Sequence, residues 1–306
     1  MAVAAIHLLL LGAVTNAIVV WSARFTAAVL RTPVPAHRRA EAARLALLNA
    51  GGAADLPWVG VAGAGAVFAA SAAHLAWLAR QVRTALPARF AVTAHYYLAA
   101  SIALLTGVPV GAWMLVTDDA LRPRLLLFHA HVNLLGWVTF TVLGTLLTLW
   151  PTVLRTRMVD GAARAARTAL PTAVTGLALP GAGVLAWWPV LAAAGLAVFA
   201  AAALRTAATA ARTAGQRPPS SFATWSIAAA GGWLLIALCV DAWALLRAGS
   251  PAAAADRFGA VLVPLLAGFA AQVLIGALRD PERPRPRPAA RRHAEPHFRR
   301  VSARTR

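Results

Sequence analysis

The stretch whose reading decides the fold runs from Leu125 to Leu154, LLLFHAHVNLLGWVTFTVLGTLLTLWPTVL, and carries no charged residue. About 20 apolar residues in α-helical form suffice to cross the hydrocarbon of a bilayer. A bilayer admits only helices or closed barrels, and this run is far too long for a barrel strand. Near its head stand two imidazoles and an amide, His129, His131 and Asn133. Ionisable side chains are costly inside a membrane and mark functional sites. At roughly 100° per residue, positions i and i+2 point about 200° apart, so His129 and His131 face nearly opposite sides and cannot share one metal from a regular helix. The arrangement suits a helix wedged between two sites, offering one imidazole to each. The plainer alternative has one histidine bonded to a neighbouring helix and the other in the headgroup layer.

Working outward, the rest of the chain fits the same solvent. It is 60% hydrophobic and 13% charged, with repeated long apolar runs, which defines an all-α, polytopic transmembrane helical bundle. The runs cover about residues 2–23, 63–80, 90–116, 125–154, 169–186, 189–208, 222–246 and 259–278. Residues 45–60 are a doubtful further crossing, broken by Gly51, Gly52, Asp55 and Pro57. The expectation is about nine spans, or eight if 45–60 does not cross. Residues 1–278 form the transmembrane domain, and 279–306 form a Pro/Arg-rich tail expected to be disordered and cytoplasmic. The abrupt change of composition at residue 279 also fits a truncated or frame-shifted product.

All 29 basic residues are Arg and the net charge is +19. In a soluble protein that would point to nucleic acid. Here the tail has neither aromatic interleaving nor a folded module, so the expected partner is anionic lipid of the bilayer and no nucleic acid. The lone Cys239 excludes an internal disulfide and a C-x-x-C-H haem attachment. No signal peptide is apparent, since the first Arg is Arg24. Basic loops favour the cytoplasm. With nine spans and the amino terminus outside, 25 of the 29 arginines fall on the cytoplasmic side, against 20 with eight spans.

A repeat supports the nine-span reading. His7 to Thr15 (HLLLLGAVT) matches His131 to Thr139 (HVNLLGWVT) at six of nine positions. Two helices with equivalent roles at one depth should run in the same direction, which three intervening crossings achieve and two do not. On that topology His7, His129 and His131 lie toward the outer face, while His74 and His95 lie near the inner ends of adjacent helices.

Neutral imidazole is the usual axial ligand of haem b among membrane helices. His7 and His131 sit at matching depth for a haem held by two histidines, and His129 faces a second haem or a copper ion. Gly12 and Gly136, each five residues after its histidine, either leave room for a porphyrin face or serve plain helix packing. His74 and His95 could hold a further metal, with structural hydrogen bonding the stronger reading. Asp241, six residues before Arg247, reads as an interfacial snorkelling carboxylate, with a proton-relay or propionate-side role as the alternative, and Tyr96 and Tyr97 read as an interfacial aromatic belt rather than redox groups.

H-x-H-x-N-L-x-G-W at the outer end of a helix resembles the haem-binding helix of the haem-copper oxidase subunit I superfamily, and more closely its divergent NnrS-like and actinobacterial relatives, some of which precede copper nitrite-reductase-like cupredoxin domains. His7–Trp21 (HLLLLGAVTNAIVVW), His129–Met158 (HAHVNLLGWVTFTVLGTLLTLWPTVLRTRM) and Gly268–Leu278 (GFAAQVLIGAL) carry the resemblance. It implies a low-spin haem b held by His7 and His131, and His129 as proximal ligand of a second haem. The three-histidine copper site of the oxidases is absent from the sequence, so the usual binuclear oxygen or nitric oxide chemistry is not expected. The expectation is a haem b-binding protein of electron transfer or nitric-oxide- or oxygen-related redox function, with a periplasmic-side cupredoxin or other redox partner. The alternative is a haem-free membrane transporter or assembly factor whose histidines handle copper or protons.

Overall fold

Apolar runs in a medium without water must satisfy their backbones internally. The computed structural model, which describes residues 2–32, 38–50 and 57–278, consists of helices and short connections, with no strand among those residues. The tail 279–306 and residues 51–56 of the doubtful crossing lie outside the described residues. Among the described residues eight helices are long and apolar enough to cross a membrane. With one shorter helix between the first two they are α1 (Ala5–Leu30), α2 (Arg38–Ala50), α3 (Pro57–Thr84), α4 (Val92–Met114), α5 (Arg122–Val153), α6 (Ala162–Ala186), α7 (Pro189–Gln216), α8 (Phe222–Arg247) and α9 (Pro251–Ala277). The protein is a multi-pass membrane protein built as an all-α bundle.

The helix that opened the sequence reading is the central one. In α5 67% of the most apolar window is buried, against 28–44% in the other spans. Its neighbours approach it through small residues, as expected where no water drives association. A Cβ on Gly136 would lie 2.5 Å from Ala103 of α4, and one on Gly144 would lie 2.5 Å from Tyr96. For Gly136 helix packing is therefore the observed role, whereas Gly12 on α1 faces open space.

Side-chain contacts fix the direction of each helix. Trp137 Nε1 donates to Thr15 Oγ1 at 3.0 Å, and the ring of His129 lies beside that of His7, so α1 and α5 run the same way. Gly111 against His129 and Thr93 Oγ1 donating to the Gly144 carbonyl at 3.1 Å set α4 antiparallel to α5. Gly60 abuts Leu115 at the end of α4, and Ser22 of α1 meets His74 of α3 at 3.0 Å. Hence α1 and α3 start at the same end of the bundle and run parallel. The chain must therefore return from one end to the other between Thr32 and Pro57. The helix α2 supplies 13 residues of that return, about 20 Å at 1.5 Å per residue, and brings Asn49 to Asn16, midway along α1, at 3.1 Å. α2 is a short helix that begins at Arg38, and the return it serves gives α1 and α5 the common direction that the repeat requires.

The remaining helices alternate. Arg124 Nη1 reaches the Leu185 carbonyl (α6), Arg205 Nη1 reaches Thr168 (α6 to α7), His131 meets Asp241 (α8), and Gly276 of α9 abuts Ile227. Arginines 122, 124, 247 and 257 lie at the end where α1 begins. The other arginines of the described residues lie at or toward the opposite, arginine-rich end.

Three helices contain a wider, π-helical turn: Leu8–Thr15 in α1, Val132–Thr139 in α5 and Pro264–Ala270 in α9. Each of the first two starts at the residue after a repeat histidine and ends at its threonine. Side chains join the altered ladder: Asn16 Nδ2 donates to the Leu11 carbonyl at 3.0 Å and Thr139 Oγ1 to the Leu134 carbonyl at 2.9 Å, both five residues back. Such turns often accompany functional sites.

One expectation is corrected here. Tyr96 and Tyr97 are no interfacial belt; each is 1% exposed. Their hydroxyls bond the Ala166 carbonyl at 3.1 Å and Thr145 at 2.8 Å, which offsets the cost of burying phenols at the α4–α5–α6 junction.

Candidate functional site

His129 and His131 lie in the regular α-helical part of α5, so the periodicity argument applies, and they do face different neighbours. His129 turns toward α4. Its Nδ1 lies 2.9 Å from the Gly107 carbonyl. A carbonyl only accepts, so Nδ1 carries the proton and the neutral ring keeps its lone pair on Nε2. Gly111 makes the space: a Cβ there would lie 2.7 Å from His129 Cε1. Asn133 packs against Gly107, donates to the His129 carbonyl at 2.8 Å, and leaves its Oδ1 buried without a partner. The ring of His7, on an exposed face of α1, has its centroid 6.4 Å from that of His129, with the planes tilted by 34°.

His131 turns toward α8 and α9. Its Nδ1 donates to the Leu127 carbonyl at 2.6 Å, and its Nε2 lies 2.8 Å from Asp241 Oδ2. The ring of Phe258 covers the pair, with centroids 5.5 Å apart. His131 is 1% exposed and Asp241 3%. This corrects the reading of Asp241 as an interfacial carboxylate: it is the buried partner of an intramembrane histidine. Taking both groups out of water is tolerable only because each finds a hydrogen-bonding partner of complementary character.

The structure brings His7 to His129 and not to His131. The sequence repeat aligns positions 124 apart, His7 with His131, but the helices pack at an offset of 122, His7 with His129 and Thr15 with Trp137. A slip of two residues turns a helix by about 200°, which exchanges the two imidazoles.

The remaining candidates lie apart. His74 is 1% exposed; its Nε2 meets Ser22 Oγ at 3.0 Å, while its Nδ1 is buried without a partner. His95 is exposed and its Nδ1 bonds the Ala91 carbonyl of its own helix at 2.9 Å. The two do not form a pair. Among the described residues no three His, Cys, Asp or Glu side chains converge on a common point.

The fit of haem b differs between the histidines. His131 has both nitrogens engaged, so in this arrangement it offers none to iron. His129 shows the pattern of a metal-ligating histidine, one ring N–H held by a backbone carbonyl and the other nitrogen carrying a lone pair. Two imidazoles bound across one iron through bonds of about 2 Å would hold their centroids about 6 Å apart, and the His7–His129 separation is compatible with that. Gly107, Gly111 and Asp241 were not legible as site residues from spacing. The one signal available was a lone carboxylate, Asp241, in an apolar run at a depth comparable to that of a lone imidazole.

Comparison with known proteins adds no relative: no family model, curated protein or solved structure matches the chain. The fold and the intramembrane histidines therefore define it at the level of class, a multi-pass helical membrane protein with ionisable side chains buried between its spans.

Proposed function

We propose that this chain is a haem b-binding protein of the cytoplasmic membrane, related to haem-copper oxidase subunit I, in which His129 and His7 hold the iron. The observation that carries the reading is the His129 Nδ1–H bond to the Gly107 carbonyl, which leaves the Nε2 lone pair on a ring adjacent to that of His7. When bound, haem b would supply a one-electron couple or an open iron for nitric oxide or oxygen. The chain's own residues orient and shield: Gly107 and Gly111 seat the His129 ring, Asn133 and the π-helical turn set its depth, and Asp241 keeps His131 out of the ligand set. With 15 of the 19 arginines of the described residues at or toward one end, we read that end as cytoplasmic by the positive-inside rule. The His7–His129 end then faces the periplasm, where a cupredoxin or other redox protein would exchange electrons with it.

A pyridine haemochrome spectrum of the purified full chain tests this. A haem b band is expected, with its low-spin signal lost in both His7→Ala and His129→Ala. A haem-free protein would leave the second reading, a carrier or assembly factor for copper or protons, which one observation favours: the buried His131–Asp241 pair, a type of pair found in proton pathways.

A further inference from the structure

At the arginine-rich end a shallow crevice, open on one side, runs between α5, α6 and α7. Leu146, Trp150, Met158, Ala166, Thr206 and Ala210 are among its lining residues. Its threonines turn their hydroxyls back on their own helix: Thr206 to the Ala202 carbonyl at 3.2 Å, Thr209 to that of Arg205 at 3.1 Å and Thr213 to that of Thr209 at 3.0 Å. The Trp150 indole N–H is bonded to the Ala210 carbonyl at 2.9 Å. The polar groups of the wall are thus already satisfied, and what remains for an occupant is apolar surface.

The rim has the opposite character. Arg212 Nη2 lies 3.4 Å from the hydroxyl of Thr209, a lining residue, so its guanidinium sits at the crevice wall. Arg205 Nη1 reaches Thr168 across α6 and α7 at 3.0 Å. Arg217 Nη1 bonds the carbonyl of Arg155 at 3.1 Å, just beyond the end of α5. All four arginines are exposed. The connection 154–161 holds one acid, Asp160, and no ion pair is formed at this rim among the described residues. An apolar slot with an uncompensated guanidinium rim, set at the end of membrane-crossing helices, is complementary to one kind of molecule: an amphiphile with a hydrocarbon chain and an anionic head.

We propose that this crevice is a binding site for an anionic phospholipid of the surrounding bilayer, its acyl chain against Trp150, Ala166 and Ala210 and its phosphate at Arg212, with Arg205 and Arg217 flanking it on either side along the rim. Arginine suits the role because its planar fork gives paired hydrogen bonds to phosphate oxygens. The crevice lining contains none of the histidines of the candidate site.

The test is lipid retention by the detergent-purified full chain, offered equal amounts of phosphatidylglycerol and phosphatidylcholine with identical chains and read by native mass spectrometry. One phosphatidylglycerol per protein should be retained, with a several-fold preference over phosphatidylcholine. The surface variant Arg205→Gln/Arg212→Gln/Arg217→Gln, its helix content checked by circular dichroism, should lose the preference. Ala166→Trp, which fills the slot, should lower retention of both lipids. Equal retention of the two lipids by the native chain, an unchanged preference in the triple variant, or displacement of the lipid by inorganic phosphate alone would each overturn the proposal.

Discussion

At the scale of single residues, the two histidines of α5 meet different fates because of what faces each of them. His129 meets a backbone carbonyl and two glycines; His131 meets a carboxylate. Removing one member of a buried pair strands the other, at a cost of about 3–5 kcal/mol. Asp241→Leu should therefore destabilise the protein strongly in reversible unfolding from mixed micelles, while His131→Leu/Asp241→Leu should recover most of the loss. A double variant as unstable as the single one would contradict the pairing. Gly111→Ala places a methyl 2.7 Å from His129 Cε1, an overpacking worth about 1–3 kcal/mol. It should weaken haem retention more than it lowers thermal stability, read by absorbance and by melting of one sample. The opposition of the two imidazoles was legible from helical periodicity alone. The role of Asp241 was not, because its distance from Arg247 along the chain says nothing about α5 lying against it.

At the scale of elements, the repeat in α1 and α5 correctly anticipated two helices running in one direction. Periodicity also assumes a regular helix, and it could not register the π-helical turns that both copies share, Leu8–Thr15 and Val132–Thr139. Nor could it set how the helices slide past each other. The hydrogen bond from Trp137 to Thr15 fixes an offset two residues short of the sequence alignment, and this is why His7 faces His129. The helix α2 was hard to read for a related reason: at 13 residues it is short for a span, and it is held by a few contacts, buried Leu48 and the Asn49–Asn16 bond among them, that apolar length does not reveal. Because α1 and α3 start at the same end, a reporter inserted at residue 53 should appear on the same side as one at the amino terminus and opposite to one at residue 86. A reporter at 53 sharing the side of residue 86 would contradict the return between α1 and α3.

At the scale of the whole molecule, composition was enough for the architecture: apolar runs of span length, with alanine and glycine for close packing, leave a helical bundle as the only outcome in lipid. The asymmetry of arginine adds a direction and, at the crevice between α5, α6 and α7, a complement to anionic lipid. Chemistry is less legible at this scale, since it depends on which of several intramembrane histidines keeps a nitrogen for a ligand. His129 keeps one, and the central proposal is that it holds haem iron together with the neighbouring His7. It is tested most directly by the pyridine haemochrome spectrum of the purified full chain beside those of His7→Ala, His129→Ala and His131→Ala. The account predicts haem b in the native chain, loss of the low-spin signal in the first two variants, and a destabilised protein that still binds haem in the third. A native chain without haem, or a low-spin signal that survives both His7→Ala and His129→Ala, would contradict it.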